Sequence, residues 1–307
     1  MADAELRVIT GPTASGKSAL ALKLAEQFPI TILSADSRQI YRGFDIGTAK
    51  PSHEELEAVP HRGVDLVDPI ERYSAAAWAA AAGGWIAESA ANRRTPVVVG
   101  GTGFYIRALV APLFAEPPLD PRSRAALGAA LAGLDTAELR RWTEALDPER
   151  AHLGRAQLLR AVEVSLLTGI PISEWHRRAP GAPGRGVRYL VVDPGRALAG
   201  RIEARVLEML SAGWEAEVAA LVARVPSDAP AWNASGYRAV RDLVEGRISR
   251  ERAIERTVID TRQYAKRQRT WIRNQLRDAN VTFIDPLSPD ALDAASAWFT
   301  HAREASQ

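Results

Sequence analysis

The chain has 307 residues, 47% of them hydrophobic and 25% charged, with a formal net charge of +2, which fits a soluble chain of one large or two modest domains and excludes a disordered one. It has no cysteine, so disulfides and thiolate metal sites are excluded. No uncharged apolar run reaches the ~18 residues of a membrane helix and no secretory leader pattern opens the chain, so a cytoplasmic protein without membrane contact is expected.

The first apolar run, Leu6 to Thr10, reads as a strand, and an amphipathic helix is expected from Ser18 to Phe28. Between them Gly11-Pro12-Thr13-Ala14-Ser15-Gly16-Lys17-Ser18 fits G-x-x-x-x-G-K-[ST]. A glycine turn of backbone N–H groups at a helix N-terminus cradles linked phosphates, the lysine adds a point charge, and the Ser18 hydroxyl can hold Mg²⁺. The loop does not say whose phosphates it holds. No Asn-Lys-x-Asp guanine reader is present, and the strand candidate Thr95 to Val99 ends in Gly100-Gly101 rather than in an acid. An acid comes earlier, where Asp36 follows the second strand candidate, Ile30 to Ser34, at the rim where an open parallel sheet places its chemistry.

The Ala-rich helix Ala75–Ala91 and the strand Pro96–Val99 continue the alternation, which predicts βαβ units and a parallel sheet. Pro112, Pro117, Pro118 and Pro121 then punctuate the chain, Arg122 to Thr168 reads as helices, and Arg177 to Gly186 reads as a loop. Because Val187–Val192 returns as a strand, the helical block is expected to be inserted into the α/β domain: residues 1–114 and 187–307 form the core and 115–186 the insertion. The remainder is mostly helical, with a last strand at Val281–Ile284.

Three further segments carry chemistry. Asp36-Ser37-Arg38-Gln39-Ile40-Tyr41 puts a carboxylate, a hydroxyl, a guanidinium and an amide at one strand end, where they could position an acceptor nucleophile, although a bare polar turn would look similar. Gly100-Gly101-Thr102-Gly103 permits close backbone approach and offers one hydroxyl. Finally, Arg262, Lys266, Arg269, Arg273 and Arg277 would line one helix face, with Tyr264 and Trp271 opposite. Such a stripe is the footprint expected for a polyanion backbone; as a solvated face it would have its aromatics in the core.

Taken together, Gly11–Ser18, Asp36-Ser-Arg-Gln-Ile-Tyr-Arg-Gly-Phe-Asp-Ile-Gly-Thr-Ala-Lys-Pro51, Gly100-Gly-Thr-Gly-Phe-Tyr-Ile106 and Gln263-Tyr-Ala-Lys-Arg-Gln-Arg-Thr-Trp271 resemble the bacterial tRNA dimethylallyltransferase family, in order and over nearly the whole chain. The resemblance implies a P-loop NTPase-like α/β core with an inserted helical domain. It also implies transfer of a dimethylallyl group from dimethylallyl diphosphate to the exocyclic amine of the adenosine 3′ of the anticodon. Asp36 is then the acid–base group, Thr102 its support and Lys17 the stabiliser of the leaving group. Gly11, Pro12, Thr13, Ala14, Ser15, Gly16, Lys17, Ser18 and Arg205 bind diphosphate, and Mg²⁺ sits at Ser18. Contacts to the anticodon stem-loop fall to Asp36, Ser37, Arg38, Gln39, Thr102, Arg124, Gln157, Arg160, Arg262, Lys266, Arg269 and Arg273, and a monomer is expected. Three blocks depart from the family pattern: His61-Arg62-Gly63-Val64-Asp65 has one histidine, Asn233-Ala-Ser-Gly-Tyr-Arg-Ala239 lacks a terminal Glu, and Ala156-Gln157 precedes Arg160 in place of Gln-Arg. The rival readings are a P-loop small-molecule kinase using ATP and a nucleotide-gated RNA-binding module.

Overall fold

Leu6–Thr10 (β1), Ile30–Ser34 (β2), His61–Arg62 (β3), Thr95–Val99 (β4), Val187–Val192 (β5) and Asn280–Ile284 (β6) form one parallel six-stranded sheet in the order β3-β2-β4-β1-β5-β6. The structure is a computed structural model that describes residues 5–111, 119–178, 186–277 and 279–300. All five residues of β2 are buried, as expected of an apolar run covered by helices on both faces. β3 went unseen in the sequence because two residues are too few to show an alternation.

The helices before the insertion are Lys17–Gln27 (α1), His53–Ala58 (α2), Ala75–Ala91 (α3) and Gly103–Val110 (α4). Those of the inserted block are Pro121–Leu131 (α5), Thr136–Leu146 (α6), Arg155–Thr168 (α7) and Ile172–Arg178 (α8). After it come Leu198–Ser211 (α9), Trp214–Val222 (α10), Tyr237–Val244 (α11), Arg250–Gln275 (α12) and Ala291–Thr300 (α13). The chain divides into two compact units, Met1–Ala111 with Arg185–Gln307, and Pro112–Gly184. Pro112, Pro117, Pro118 and most of the Arg177–Gly186 loop lie outside the described residues.

In the first unit, Ile9, Ile32, Val97, Val99, Leu190 and Val192 from the sheet pack with Leu20, Ala21 and Leu24 of α1 and with Trp298 and Phe299 of α13. Phe28 stacks on Phe299 with ring centroids 4.3 Å apart, and Arg7 Nε donates to the Phe299 carbonyl at 3.0 Å. The last helix thereby closes one face of the sheet. In the second unit a small core of Ala161, Val164 and Ile172 is packed by Leu119 and Trp175.

Strand order reverses at β1. The chain leaves it to one side for β2 and returns for β4, whereas β5 and β6 lie on the other side. The carboxyl ends of β1, β2 and β4 therefore open on one crevice, the position where doubly wound sheets bind ligands.

Candidate functional site

The loop after β1 is a glycine turn that leads into the N-terminus of α1, the arrangement that can cradle phosphates. Ala14 adopts φ 61° and Gly16 φ 94°, left-handed conformations that turn the chain into the start of α1. Lys17 Nζ donates to the Pro12 carbonyl at 3.2 Å, and Arg201 of α9 donates from Nε to the Ala14 carbonyl at 2.9 Å. Burial, with a smaller contribution from the Arg205 guanidinium, lowers the Lys17 pKa to about 8 against an upward pull from Asp36. Arg205 is also lowered by burial, while Asp36 and Glu208 oppose that shift. Two cations held close in a partly dry site make it a strong attractor for an anion. The Ser18 side chain is exposed.

Asp36 leaves β2 in a short turn whose Oδ1 accepts the Arg38 N–H at 2.8 Å. Ser37 N–H donates to Thr102 Oγ1 at 3.0 Å, which ties this turn to the loop after β4. The Tyr264 hydroxyl lies beside the Thr102 side chain, and burial pushes the Tyr264 pKa up to about 12. Gln39, expected to contact RNA, also makes internal hydrogen bonds. Its Oε1 accepts from Ser34 Oγ at 2.8 Å and its Nε2 donates to the Ala49 carbonyl at 2.8 Å, so it holds the Thr48–Ala49 turn. The adjacent Asp45–Gly47 turn is fixed by Glu217, whose Oε2 accepts from Asp45 N–H at 3.0 Å and Ile46 N–H at 2.7 Å.

Two cavities meet these groups. One of about 570 Å³ is lined by Gly16, Lys17, Ser18, Lys50, Arg201 and Arg205. The other, about 420 Å³, is lined by Asp36, Arg38, Asn233, Gln263, Tyr264 and Arg267, with Trp214 and Trp232 on its apolar side. Arg205 borders both. His61 borders the first; its Nδ1 lies 2.7 Å from the Val59 carbonyl, and burial lowers its pKa.

The basic stripe on α12 is less uniform than the sequence suggested. Arg262, Lys266, Arg273 and Arg277 are exposed, and Arg262 pairs loosely with Glu203 at 3.4 Å. Arg269 is committed inward: it grips Asp193 at 2.8 and 2.5 Å and the Gly195 carbonyl at 2.7 Å, a bidentate pair that straps α12 to the end of β5. The neutralising acids come from other elements, so charge along the helix alone could not reveal them. Tyr264 and Trp271 are not core residues either. They are half-buried, and Trp271 lies over Gly103, where a Cβ would fall 2.2 Å from its ring.

In the inserted unit, Arg124 Nε donates to Glu163 Oε1 at 2.7 Å, and Arg160 pairs with Glu163 Oε2. Gln157 Oε1 accepts the Gly154 N–H at 3.1 Å and so caps α7. The expected RNA contacts of this block are therefore engaged within it. Sequence reading missed Arg201, Tyr264 and Gln268 as site residues. Arg201 had a signal, lying one helical turn before Arg205 on the same face.

Among the described residues no cluster of three or more His, Asp or Glu could hold a metal, and no helix is long and apolar enough to cross a membrane.

The family model described as IPP transferase matches residues 39–275, and that described as isopentenyl transferase matches residues 4–63. The chain is 44% identical over 287 residues to the tRNA dimethylallyltransferase of Myxococcus xanthus, covering 92% of each. It is 43% identical over 279 residues to that of Thermosynechococcus vestitus, covering 89% of this chain and 88% of the relative. Among solved structures it is similar to a tRNA delta(2)-isopentenylpyrophosphate transferase of Staphylococcus epidermidis, with TM-score 0.67 and 32% identity over 96% of this chain and 98% of that one. A eukaryotic dimethylallyltransferase described as acting on tRNA gives TM-score 0.80 and 25% identity, over 95% of this chain and 77% of that one.

Proposed function

The chain belongs to the IPP transferase family, and from that premise we propose that it transfers a dimethylallyl group from dimethylallyl diphosphate to the exocyclic amine of the adenosine 3′-adjacent to the anticodon in tRNA, releasing diphosphate. The observation that carries this reading is Arg205, shared between a cavity bearing the phosphate loop and a cavity bearing Asp36. A donor and an acceptor placed in the two cavities would meet beside it. Nothing in the comparisons favours the small-molecule kinase.

The amine nitrogen attacks the allylic carbon that carries the diphosphate. The new C–N bond forms as the C–O bond breaks, and the electron pair of that bond leaves on the diphosphate. Lys17, the amides of the Gly11–Ser18 loop and Arg205 stabilise the charge where it develops. The amine lone pair is delocalised into the purine ring, so attack leaves positive charge on nitrogen. Asp36 accepts the proton, with Thr102 and Ser37 orienting the turn that carries it. The base has to leave its stack to reach the cavity beside Tyr264 and Arg267, as for other enzymes that act on bases.

The exposed Ser18 hydroxyl would hold Mg²⁺ beside the diphosphate, and among the described residues no cluster of three or more acidic or histidine side chains competes for it, which suits an ion bound through few protein side chains. When bound it would add countercharge to the diphosphate. The exposed Arg262, Lys266 and Arg273, with Arg38 at the cavity, face the tRNA backbone. Arg124, Gln157 and Arg160 contribute from the inserted unit only as their internal partners allow. The protein is read as a monomer.

Incubation with unmodified tRNA, dimethylallyl diphosphate and Mg²⁺, followed by digestion and mass analysis, should reveal a dimethylallyl-adenosine. An unmodified digest, or a product whose formation consumes ATP, would defeat the assignment.

A further inference from the structure

Helix α12 presents Tyr264, Gln268 and Trp271 to three consecutive residues, Thr102, Gly101 and Gly103 respectively, where the loop after β4 enters α4. Tyr264 lies beside the Thr102 side chain, Trp271 lies on Gly103, and Gln268 Nε2 donates to the Gly101 carbonyl at 3.0 Å. Of the three, Gln268 also reaches the phosphate loop: its Oε1 accepts the Thr13 N–H at 2.7 Å. Its orientation follows from its partners, because a backbone N–H needs the amide oxygen and a carbonyl needs the amide nitrogen. The side chain is only 6% exposed, and a Cβ on Gly101 would fall 2.1 Å from its Nε2. This is a close, dry fit that only an unsubstituted backbone admits.

We propose that Gln268 is a positioning residue for the transfer, a strut that fixes the donor loop after β1 against the acceptor loop after β4. The second connection, Ser37 N–H to Thr102 Oγ1 at 3.0 Å, carries the constraint on to the Asp36 turn. The three loops at the carboxyl ends of β1, β2 and β4 are thus linked in series: Thr13, Gln268, Gly101, Thr102, Ser37. Gln268 touches neither substrate in this scheme. It acts through the distance between the allylic carbon and the amine, to which the rate is far more sensitive than binding is.

The rate part of this inference rests on the transfer reading above; the exchange part does not. The variants are Q268M, which keeps the length and removes both bonds, and Q268N, which keeps both polar groups on a stem one methylene shorter. In both, single-turnover transfer should slow by ~10- to 100-fold, while KM for tRNA and Kd for inorganic pyrophosphate stay within about threefold. Amide hydrogen exchange of the peptide containing Thr13 should quicken. Wild-type exchange at Thr13 in Q268M would overturn the proposal whatever the activity. A rate unchanged in a folded variant, or a rate loss matched by an equal loss of pyrophosphate affinity, would also overturn it. If the wild-type protein yields no dimethylallyl-adenosine, the transfer reading fails, and the exchange measurement still decides whether the strut exists.

Discussion

At the scale of single residues, the side chain on which the proposed reaction depends most is Asp36. Its Oδ1 takes the Arg38 N–H at 2.8 Å, and its charge is felt by both Lys17 and Arg205, so it is held in place and faces the cations that take the leaving group. Asp36→Asn keeps the shape and removes the charge. Transfer should fall by about 10²-fold or more, the scale of a positioned acid–base group, with tRNA affinity changed much less; near-normal turnover would place the base elsewhere. The placement of Asp36, Lys17 and Thr102 at the carboxyl edge of the sheet was legible in the sequence because each follows a recognisable strand. The internal bonds of Gln39 to Ser34 and the Ala49 carbonyl could not be read from the sequence, because these partners come together only when the 48–49 turn folds back. Gln268 was invisible for the same reason on a larger scale, since its partners lie 255 and 167 residues away.

At the scale of elements, α12 combines two functions on two faces. Ala265, Gln268 and Ile272 are buried and Gln268 braces the loops, while Lys266 and Arg273 are exposed and, among the described residues, pair with no acid that would compete for phosphate, unlike Arg269, which Asp193 holds. Periodicity read from the sequence found the helix and the cations, but it could not tell a strapped arginine from a solvent-facing one, because Asp193 follows a different strand. The distinction gives a test. Reversing Lys266 and Arg273 to Glu should weaken binding of every tRNA alike and flatten log affinity against log salt by on the order of one unit per lost contact, leaving pyrophosphate affinity intact. Arg269→Glu should instead lower thermal stability, since it leaves Asp193 without its partner and sets two carboxylates together. A salt slope unchanged in the double reversal would make this face merely solvated.

At the scale of the whole molecule, the anion site links ligand binding, protonation and stability. The unfolded chain keeps the Lys17 proton up to 10.5, whereas the folded chain releases it at about 8. Between those values the unfolded state binds more protons, so this group makes stability rise with pH. Below about 8 both states are protonated and the cost of holding the charge in place is fully present, on the order of 3 kcal/mol. An anion in the loop offsets that cost and pulls the Lys17 pKa back up. Pyrophosphate with Mg²⁺ should therefore raise the melting temperature by mass action, and above pH 8 its binding should take up a proton at Lys17. Pyrophosphate titrates in the same range, which a bare pH profile would confuse with the lysine. Lys17→Arg removes that ambiguity, because a guanidinium stays charged throughout. The ratio of wild-type Kd to K17R Kd cancels the ligand's own protonation and should climb as pH rises from about 8, by up to about tenfold per unit, the limit for one coupled proton. A ratio that stays flat between about pH 7 and 9.5 would show that no group shifted to near 8 lies at the anion, and would remove Lys17 from the charge the loop offers a diphosphate.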